Sequence, residues 1–252
     1  MKIETIKLIE FLKKESIGNL IGSAVLDFTE QGLSIKVHCA TIVTACGKMP
    51  KDKFQEYEAL GEAGIRNFGI FRKLVERYKG SLIKIVKNET KIKLISETGS
   101  TIYVLTDKEF IENNLAEEYP LAFDEGFNID SKKLKDIKSA GSDLGTDNII
   151  FEVKDNKLSL QIETDEGDAV TEEVPVEYGS ARAKYGSYLH NIIDSLEGNV
   201  NVSFKDNYAI QITEKTENFI VKYLLASLDE DEKKEEPKKE VEKENDTTTT
   251  TA

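Results

Sequence analysis

The chain carries two copies of one sequence pattern, which restricts it to a fold with internal symmetry. A turn, an apolar helical stripe and a glycine occur at residues 68–80 and recur at residues 185–198. Past these glycines a constant offset of 118 relates the copies, and an offset of 125 relates the segments before them. A repeat of this length predicts one folded unit used twice. The paired residues are Ile92 with Ile210, Leu94 with Ile212, Ile102 with Ile220, and Leu33-Ser34 with Leu158-Ser159.

The 252 residues are enough for two such units and a tail. We expect an N-terminal domain at residues 1–105, a connector at 106–128 and a C-terminal domain at 129–228, each domain long enough to bury a core. Residues 229–252 hold ten acidic residues, five lysines and Val241 as their only large apolar residue. Such a composition predicts a disordered acidic tail, because too little apolar surface can be buried to offset chain entropy.

Composition also restricts location and cofactors. No run approaches the roughly 18 apolar residues of a membrane span, and the first residues alternate in charge rather than resembling a signal peptide. Two cysteines, Cys39 and Cys46, are too few for a disulfide framework or a zinc site. We therefore expect a soluble intracellular protein, in cytoplasm or nucleoid, nucleus or an infected host cell, with no membrane partner, no metal and no cofactor.

Apolar periodicity predicts four amphipathic helices, at residues 5–15, 68–79, 131–140 and 187–196. Ile6 and Ile70 are assigned to the inward faces of the first two, and Asp130 or Ser131 caps the third. Short alternating runs separated by turn residues follow each helix and predict antiparallel hairpins with one buried face. The predicted fold class is α+β, with two duplicated domains of antiparallel sheets and two helices each.

The motifs of common enzymes are missing from the sequence. It contains no Walker loop, no dinucleotide-binding glycine turn, no His-Glu-x-x-His and no Gly-x-Ser-x-Gly. One alternative stays open, a metal-dependent enzyme, because carboxylates cluster in "ETDEGDA" and could hold a hard cation. A solvated hairpin tip explains the same cluster without a metal. The residues concerned are Glu163, Asp165, Glu166 and Asp168.

Several segments, in this order and spacing, resemble the DNA sliding clamps of the proliferating-cell nuclear antigen type and of T4-like phages. "KLIEFLKKE" followed by "LDFTEQGLSI" is similar to the first helix and hairpin of these clamps. "MPKDKFQEYEA" resembles their strand that ends in a Phe-x-x-Tyr segment. "FIVKYLLASLDEDE" resembles their closing strand with its apolar patch and acidic tail. The resemblance spans residues 1–228.

The resemblance implies a non-enzymatic function. Three copies would close head to tail into a ring, the DNA clamp fold, that encircles double-stranded DNA without reading its sequence. The ring would tether DNA polymerase and other replication and repair proteins, as a processivity factor, after a clamp-loader ATPase opens it. Ring closure by strand addition would use edges at residues 108–115 and 174–183.

Helix lysines and arginines supply the candidate DNA contacts. The formal net charge is −13, so DNA would be repelled unless positive charge is segregated on one surface. Basic residues there would meet phosphates with weak, salt-sensitive contacts compatible with sliding. An ordinary solvated helix face is the alternative interpretation. The candidates are Lys7, Lys13, Lys14, Arg72, Lys73, Arg77, Lys132, Lys135, Lys138 and Lys184.

The resemblance also implies a pocket beneath the connector that receives a short motif of partner proteins, with binding energy concentrated in a few apolar side chains. By position, its residues are Val43, Leu121, Phe123, Leu224 and Ala226. Packing in the core is the alternative for Val43 and Leu224.

Three further functions remain as alternatives. A heteromeric checkpoint-type clamp subunit or a monomeric processivity factor would use the same fold without a homotrimeric ring. A metal-dependent enzyme would depend on the carboxylates of residues 163–168. A plain interaction scaffold would show no salt-dependent retention on DNA.

Overall fold

The structure, a computed structural model, describes residues 1–39, 42–112, 123, 126–177 and 179–228. Its first half begins with a short strand, continues with a helix and four strands, and ends with a helix and three strands. The elements are β1 (Lys2–Glu4), α1 (Thr5–Glu15), β2 (Ala24–Thr29), β3 (Gly32–Cys39), β4 (Val43–Pro50), β5 (Gly61–Ile65), α2 (Phe68–Glu76), β6 (Leu82–Lys87), β7 (Lys91–Ser96) and β8 (Gly99–Val104).

The second half has the same elements in the same order, so the predicted duplication is confirmed. They are β9 (Phe127–Asp130), α3 (Ser131–Leu144), β10 (Ile149–Lys154), β11 (Lys157–Glu163), β12 (Ala169–Pro175), β13 (Ala181–Tyr185), α4 (Tyr188–Ser195), β14 (Asn199–Ser203), β15 (Ile210–Lys215) and β16 (Ile220–Leu225). The predicted connector lies largely in residues 113–122 and 124–125, outside the described ranges, so the domain boundaries stay a prediction.

Antiparallel pairing arranges the strands in three sheets. Two sheets have four strands each, in the orders β1-β6-β7-β8 and β12-β11-β10-β13. The third has eight strands in the order β5-β2-β3-β4-β16-β15-β14-β9 and runs through both halves. Strands β8 and β12 are therefore outer edges of their sheets, and the pairing of β4 with β16 joins the halves.

Strand registers test the predicted repeat residue by residue. Gly32 pairs with Pro50 in the first half and Lys157 with Pro175 in the second, which preserves the offset of 125. The equivalence of Ile92 and Leu94 with Ile210 and Ile212 also holds, since each pair is buried on the same strand of its hairpin. The equivalence of Ile102 with Ile220 is wrong. Leu94 pairs with Thr101 whereas Ile212 pairs with Tyr223, so the second hairpin is four residues longer.

The four predicted helices are present; α1 has the predicted ends, and the other three differ from the prediction by one to four residues at one or both ends. Asp130 caps α3 by accepting a hydrogen bond from the Lys132 N–H at 2.9 Å, and Asn67 caps α2 through the Ile70 N–H at 2.9 Å. Helix α3 continues to Leu144, where Gly145 takes a left-handed φ of 72° and ends it.

The predicted inward positions of Ile6 and Ile70 are wrong, because these side chains are 37% and 51% exposed. The inward stripes are narrower than periodicity suggests, and both residues lie at their margins. None of the helices in the described ranges combines the length and apolar character needed to cross a bilayer.

One apolar core extends through both halves. At the junction, β4 pairs with β16 over six residues, from Ile220 opposite Lys48 to Leu225 opposite Val43. The ring of Phe11 on α1 packs against Phe219, with centroids 5.5 Å apart. Each half therefore contributes apolar side chains to the other, and this burial holds the junction together.

Lys14 lies inside this junction, so its assignment to a DNA-facing surface is a prediction that the structure contradicts. Its exposed fraction is 5%, and its ammonium is 2.8 Å from a carboxylate oxygen of Glu214. It also donates to the carbonyl of Ser195 at the end of α4. The last turn of α1 is covered by the second half, so its polar side meets β15 instead of solvent.

Glu15, the next residue, is buried without a partner. Its exposed fraction is 0%, and within the described part of the chain neither carboxyl oxygen has a hydrogen-bond partner. The side chain lies against the backbone of Gly47 on β4, where a Cβ would overlap Oε1. Burial raises the pKa of Glu15 well above its usual value, which favours the neutral acid.

The buried ion pair generates the first prediction. Lys14→Met leaves the Glu214 carboxylate buried without its cation, so we expect a loss of about 3 kcal/mol in the free energy of unfolding. The double variant Lys14→Met/Glu214→Leu should recover most of this loss, because neither charge remains. Chemical denaturation measures both, and the exposed neighbour Lys13→Met, expected to change stability by less than about 0.5 kcal/mol, is the control. Equal stabilities for Lys14→Met and Lys13→Met would contradict the burial.

The neutral Glu15 generates the second prediction. A raised folded-state pKa contributes stability that is fully present below the unfolded pKa of about 4.3 and is lost as the pH rises toward the folded pKa. Glu15→Gln cannot ionise, so its stability advantage over the natural chain should grow by about 1.4 kcal/mol per pH unit between pH 5 and the folded pKa. Denaturation at a series of pH values measures this. The exposed Glu10→Gln is the control, and an advantage equal at pH 5 and pH 8 would refute the prediction.

Candidate nucleic-acid and partner interfaces

The four helices lie side by side on one face of the sheets. Helix α1 contacts α2, α3 contacts α4, and α4 also contacts residues Ile17–Asn19, which follow α1. Helix α2 packs on the inner side of β8, where the rings of Phe71 and Tyr103 meet at 5.3 Å. The helices thus form one row in the order α2, α1, α4, α3, and residues on their outer sides share a surface.

The first helix pair presents most of the free positive charge on this surface. Lys13, Lys73 and Arg77 are exposed, and these three take part in no salt bridge with any residue that the structure describes. Lys7 is half-buried, and its ammonium pairs with the Glu4 carboxylate at 3.2 Å. These positions could contact phosphates, and they agree with the predicted basic stripe.

Arg72 differs from its neighbours because it is fixed within the protein. Its Nη1 donates to the Ser16 hydroxyl at 3.0 Å, and its Nε lies 3.5 Å from the Glu76 carboxylate. The guanidinium therefore joins α2 to the end of α1. A phosphate would have to compete with Glu76 for it.

The second helix pair is less basic than predicted. Lys132 is exposed and Lys135 is half-buried, but Lys138 forms an ion pair with Asp194 on α4. Lys184 is half-buried on β13, and its carbonyl accepts a hydrogen bond from the Leu228 N–H at 2.8 Å. Positive charge is therefore concentrated on the first half and on the start of α3.

Helix α4 itself carries no lysine or arginine. His190, its most basic side chain, is buried, and burial lowers its pKa despite Asp147, whose carboxylate lies 3.8 Å from Nδ1. The imidazole is therefore neutral at physiological pH. This helix contributes contact area but no charge attraction to a polyanion.

Some of the predicted partner-binding residues are buried beneath the surface, and others are accessible to a partner. Val43 is fully buried opposite Leu225, so it supports the surface from below and cannot itself contact a partner. Leu224 is half-buried and Ala226 is exposed, and the Ala226 N–H donates to the Ile42 carbonyl at 3.0 Å. Leu121 lies outside the described residues.

Phe123 is half-buried, and its ring centroid is 6.2 Å from that of Tyr208. Tyr208 is 41% exposed and lies just before the start of β15, and Ile42 is 39% exposed and lies just before the start of β4. Neither residue was predicted from the sequence. The usable signal was a large apolar side chain placed just outside a strand that borders the predicted pocket. We use "apolar end cluster" for Ile42, Phe123, Tyr208, Leu224 and Ala226.

The carboxylates of the alternative metal site do not converge. Glu163, Asp165, Glu166 and Asp168 are all exposed around the β11–β12 turn. This turn is closed by its own hydrogen bonds, including Thr164 N–H to the Asp168 carbonyl at 2.9 Å. Across the described ranges, no group of three His, Cys, Asp or Glu side chains could hold a metal ion.

Strands β8 and β12 each form one outer edge of a four-stranded sheet. Strand β8 exposes Ile102 and Val104, at 54% and 65%, and β12 is the outer strand of the other four-stranded sheet. The edges expected at residues 108–115 and 174–183 are therefore shifted. Residues Lys108–Phe110 form a short helical turn, and residues 113–115 lie outside the described ranges. The second range holds the last two residues of β12 and the first three of β13, which is the opposite edge of the same sheet.

No protein-family model and no curated protein matches the sequence. Solved structures do match, over nearly the whole chain. The PCNA of A. fulgidus bound to the C-terminal region of FEN-1 superposes with a TM-score of 0.78 at 17% identity, covering 90% of this chain and 97% of that one. The proliferating cellular nuclear antigen of Entamoeba histolytica gives 0.75 at 18% identity, covering 90% and 97%.

A chain of the PCNA2-PCNA3 complex from Sulfolobus tokodaii gives a TM-score of 0.71 at 19% identity, covering 90% of this chain and 99% of that one. These matches establish the fold, and the predicted clamp-type α+β fold is confirmed. At such identities a shared fold does not by itself fix the function.

Proposed function

We propose that this chain is a DNA sliding clamp, a homotrimeric ring that encircles duplex DNA and tethers a DNA polymerase and other replication or repair proteins to it. It performs no catalysis. The observation that carries the proposal is the pair of open edges, β8 and β12, which are the counterparts of the two strands that pair at the internal junction.

The counterparts follow from the registers. Strand β16 pairs with β4 inside the chain, β8 occupies the place of β16 in the first half, and β12 occupies the place of β4 in the second. Joining β8 of one copy to β12 of the next therefore repeats the internal junction. The contact is head to tail, so it generates a ring when the rotation closes.

The register of this contact can be derived. Lys222 lies opposite Cys46 at the internal junction. Thr213 pairs with Lys222 as Ile95 pairs with Ser100, and Lys36 pairs with Cys46 as Gln161 pairs with Thr171. The same geometry between copies sets Ser100 opposite Thr171 of the next copy.

The row of helices would line the channel of this ring. Lys13, Lys73, Arg77 and Lys132 are exposed on it and would contact phosphates without reading bases. Helix α4, which has no lysine or arginine, would interrupt this basic lining, so attraction to DNA is weak and uneven. Ring closure, rather than affinity, would hold the clamp on DNA.

The apolar end cluster would receive short motifs of partner proteins, including the polymerase and a clamp-loader ATPase. It lies at the edge of the junction between the halves, and its exposed side chains are of the apolar and aromatic kind that anchor peptides. The A. fulgidus clamp, which has the same fold, is bound to the C-terminal region of FEN-1.

The derived register gives the third prediction. Ser100→Cys/Thr171→Cys should form disulfides between copies under mild oxidation, because directly opposed residues in antiparallel strands lie about 5 Å apart. Non-reducing electrophoresis should show covalent oligomers up to the trimer. Ser100→Cys/Val170→Cys is the matched control, since a shift of one residue turns the second thiol to the other face. Equal cross-linking of both pairs, or of neither, would contradict the register, and absence of any oligomer would favour a heteromeric clamp.

The channel assignment gives the fourth prediction. Lys73→Glu/Arg77→Glu should lower the affinity for duplex DNA by about tenfold and reduce the salt dependence of log K by about one unit or more, because phosphate contacts are lost. Fluorescence anisotropy at several salt concentrations measures both. Lys91→Glu/Lys93→Glu changes the same number of charges on the opposite side of the sheets and should leave binding unchanged. If this control lost as much affinity, DNA would not bind on the helix side.

A further inference from the structure

The sheet β1-β6-β7-β8 has an outer face, most of which the proposed ring would leave uncovered. Its inner face carries Ile83, Ile85, Ile92 and Leu94, all buried against the core. The alternate residues point away from the helices. On β6 and β7 these are Leu82, Lys84, Val86, Lys91, Lys93 and Ile95, and on β8 they are Ser100, Ile102 and Val104.

Lysines and aliphatic side chains alternate on this outer face. Lys84 lies opposite Ile95, Lys93 lies between Val86 and Ile102, and Lys91 lies opposite Val104. Leu82 and Val86 are 39% and 42% exposed. Lys84, Lys91 and Lys93 have no salt-bridge partner in the part of the chain that the structure describes. Clustered lysines beside exposed aliphatic groups form a surface that suits a partner with acidic and apolar side chains.

The second half is an internal control for this feature, because it repeats the same strands. Register equivalence sets Asn199, Asn201 and Ser203 at the places of Leu82, Lys84 and Val86. Gln211 and Thr213 take the places of Lys93 and Ile95. These five residues are polar and uncharged. The fold therefore does not require a basic aliphatic face, and its presence in the first half needs another reason.

Ring closure accounts for only part of this surface. In the proposed register Ile102 would lie beside Ala169 of the next copy, so β8 would be partly covered. Leu82, Lys84 and Val86 lie on β6, two strands in from that edge, and would stay exposed.

We propose that this outer face, centred on Lys84, Val86 and Lys93, docks an amphipathic helix of a partner protein that carries acidic and aliphatic side chains on one face. The spacing supports a helix. Neighbouring positions on a sheet face lie about 5–7 Å apart, and residues three and four apart on a helix lie about 5–6 Å apart. The surface differs from the apolar end cluster, so one clamp could hold two segments of a partner.

Other occupants fit less well. A nucleic acid would use the lysines but leave the aliphatic side chains without a role, and no aromatic ring for base stacking points outward from β6, β7 or β8. The acidic residues 229–252 of the chain itself offer Val241 as their only large apolar side chain.

The test uses the full chain and a fluorescein-labelled synthetic helix of about 20 residues, some 30 Å long, with Glu and Leu on one face and Ala and Gln on the other. Anisotropy should show saturable binding, weakened about tenfold by Lys84→Gln/Lys93→Gln and restored by Lys84→Arg/Lys93→Arg. Val86→Ser, which copies the second-half residue, should also weaken it.

Asn201→Glu/Gln211→Glu is the matched control. It changes the net charge by the same amount on the equivalent face of the second half, and should not affect binding. A peptide of the same composition in scrambled order should not compete. Loss of binding in both charge variants, or in neither, would overturn the proposal. So would binding of single-stranded DNA or anionic vesicles to this face in place of the helix. Duplex DNA binding by the helix row is measured separately, so failure here leaves the proposed clamp function standing.

Discussion

The antiparallel pairing of β4 with β16 is the interaction on which the rest of the structure depends. It merges one sheet from each half into a single eight-stranded sheet and brings the ends of α1 and α4 together. Because the halves are copies, β8 is the counterpart of β16 and β12 is the counterpart of β4. Each of these two counterparts has a neighbouring strand on one side only. An unpaired edge is unfavourable in isolation and promotes association. Internal symmetry and the need to pair these edges would together account for the proposed ring.

The junction inside the chain and the proposed junction between copies have the same strand pairing. The side chains that pack around the two junctions differ. Inside the chain, Lys14 and Glu214 form a buried ion pair, and Phe11 packs on Phe219. By the α1–α3 equivalence that aligns Thr5 with Ser131, Lys14 and Glu15 correspond to Ala140 and Gly141. The proposed contact between copies would therefore lack a counterpart of the Lys14–Glu214 ion pair. A contact without an ion pair to break suits a ring that must open.

The sequence was sufficient for the parts of the fold that depend on local pattern. Helix existence and strand alternation follow from periodicities within single elements, and the repeat follows from a nearly constant offset between the halves. All three are present. The errors arise where distant segments meet. The sequence pattern around Lys14 predicts a solvent-facing lysine, but Glu214, 200 positions away, pairs with it in the folded chain. Lys138 is likewise unavailable as a free phosphate contact, because it forms an ion pair with Asp194 on another helix. The predicted positions of the sheet edges were wrong because a strand becomes an edge only through the order of strands in the folded sheet. Local sequence patterns do not determine that order.

We expect copies of this chain to join through β8 and β12 into a closed ring of three. Light scattering coupled to size-exclusion chromatography, over a range of concentrations, tests it most directly. We expect a species of about three times the 28.3 kDa chain mass, with no larger oligomers, because every β8 and every β12 is paired in a closed ring. A mass of one chain at every concentration, or an open series of growing oligomers, would contradict it.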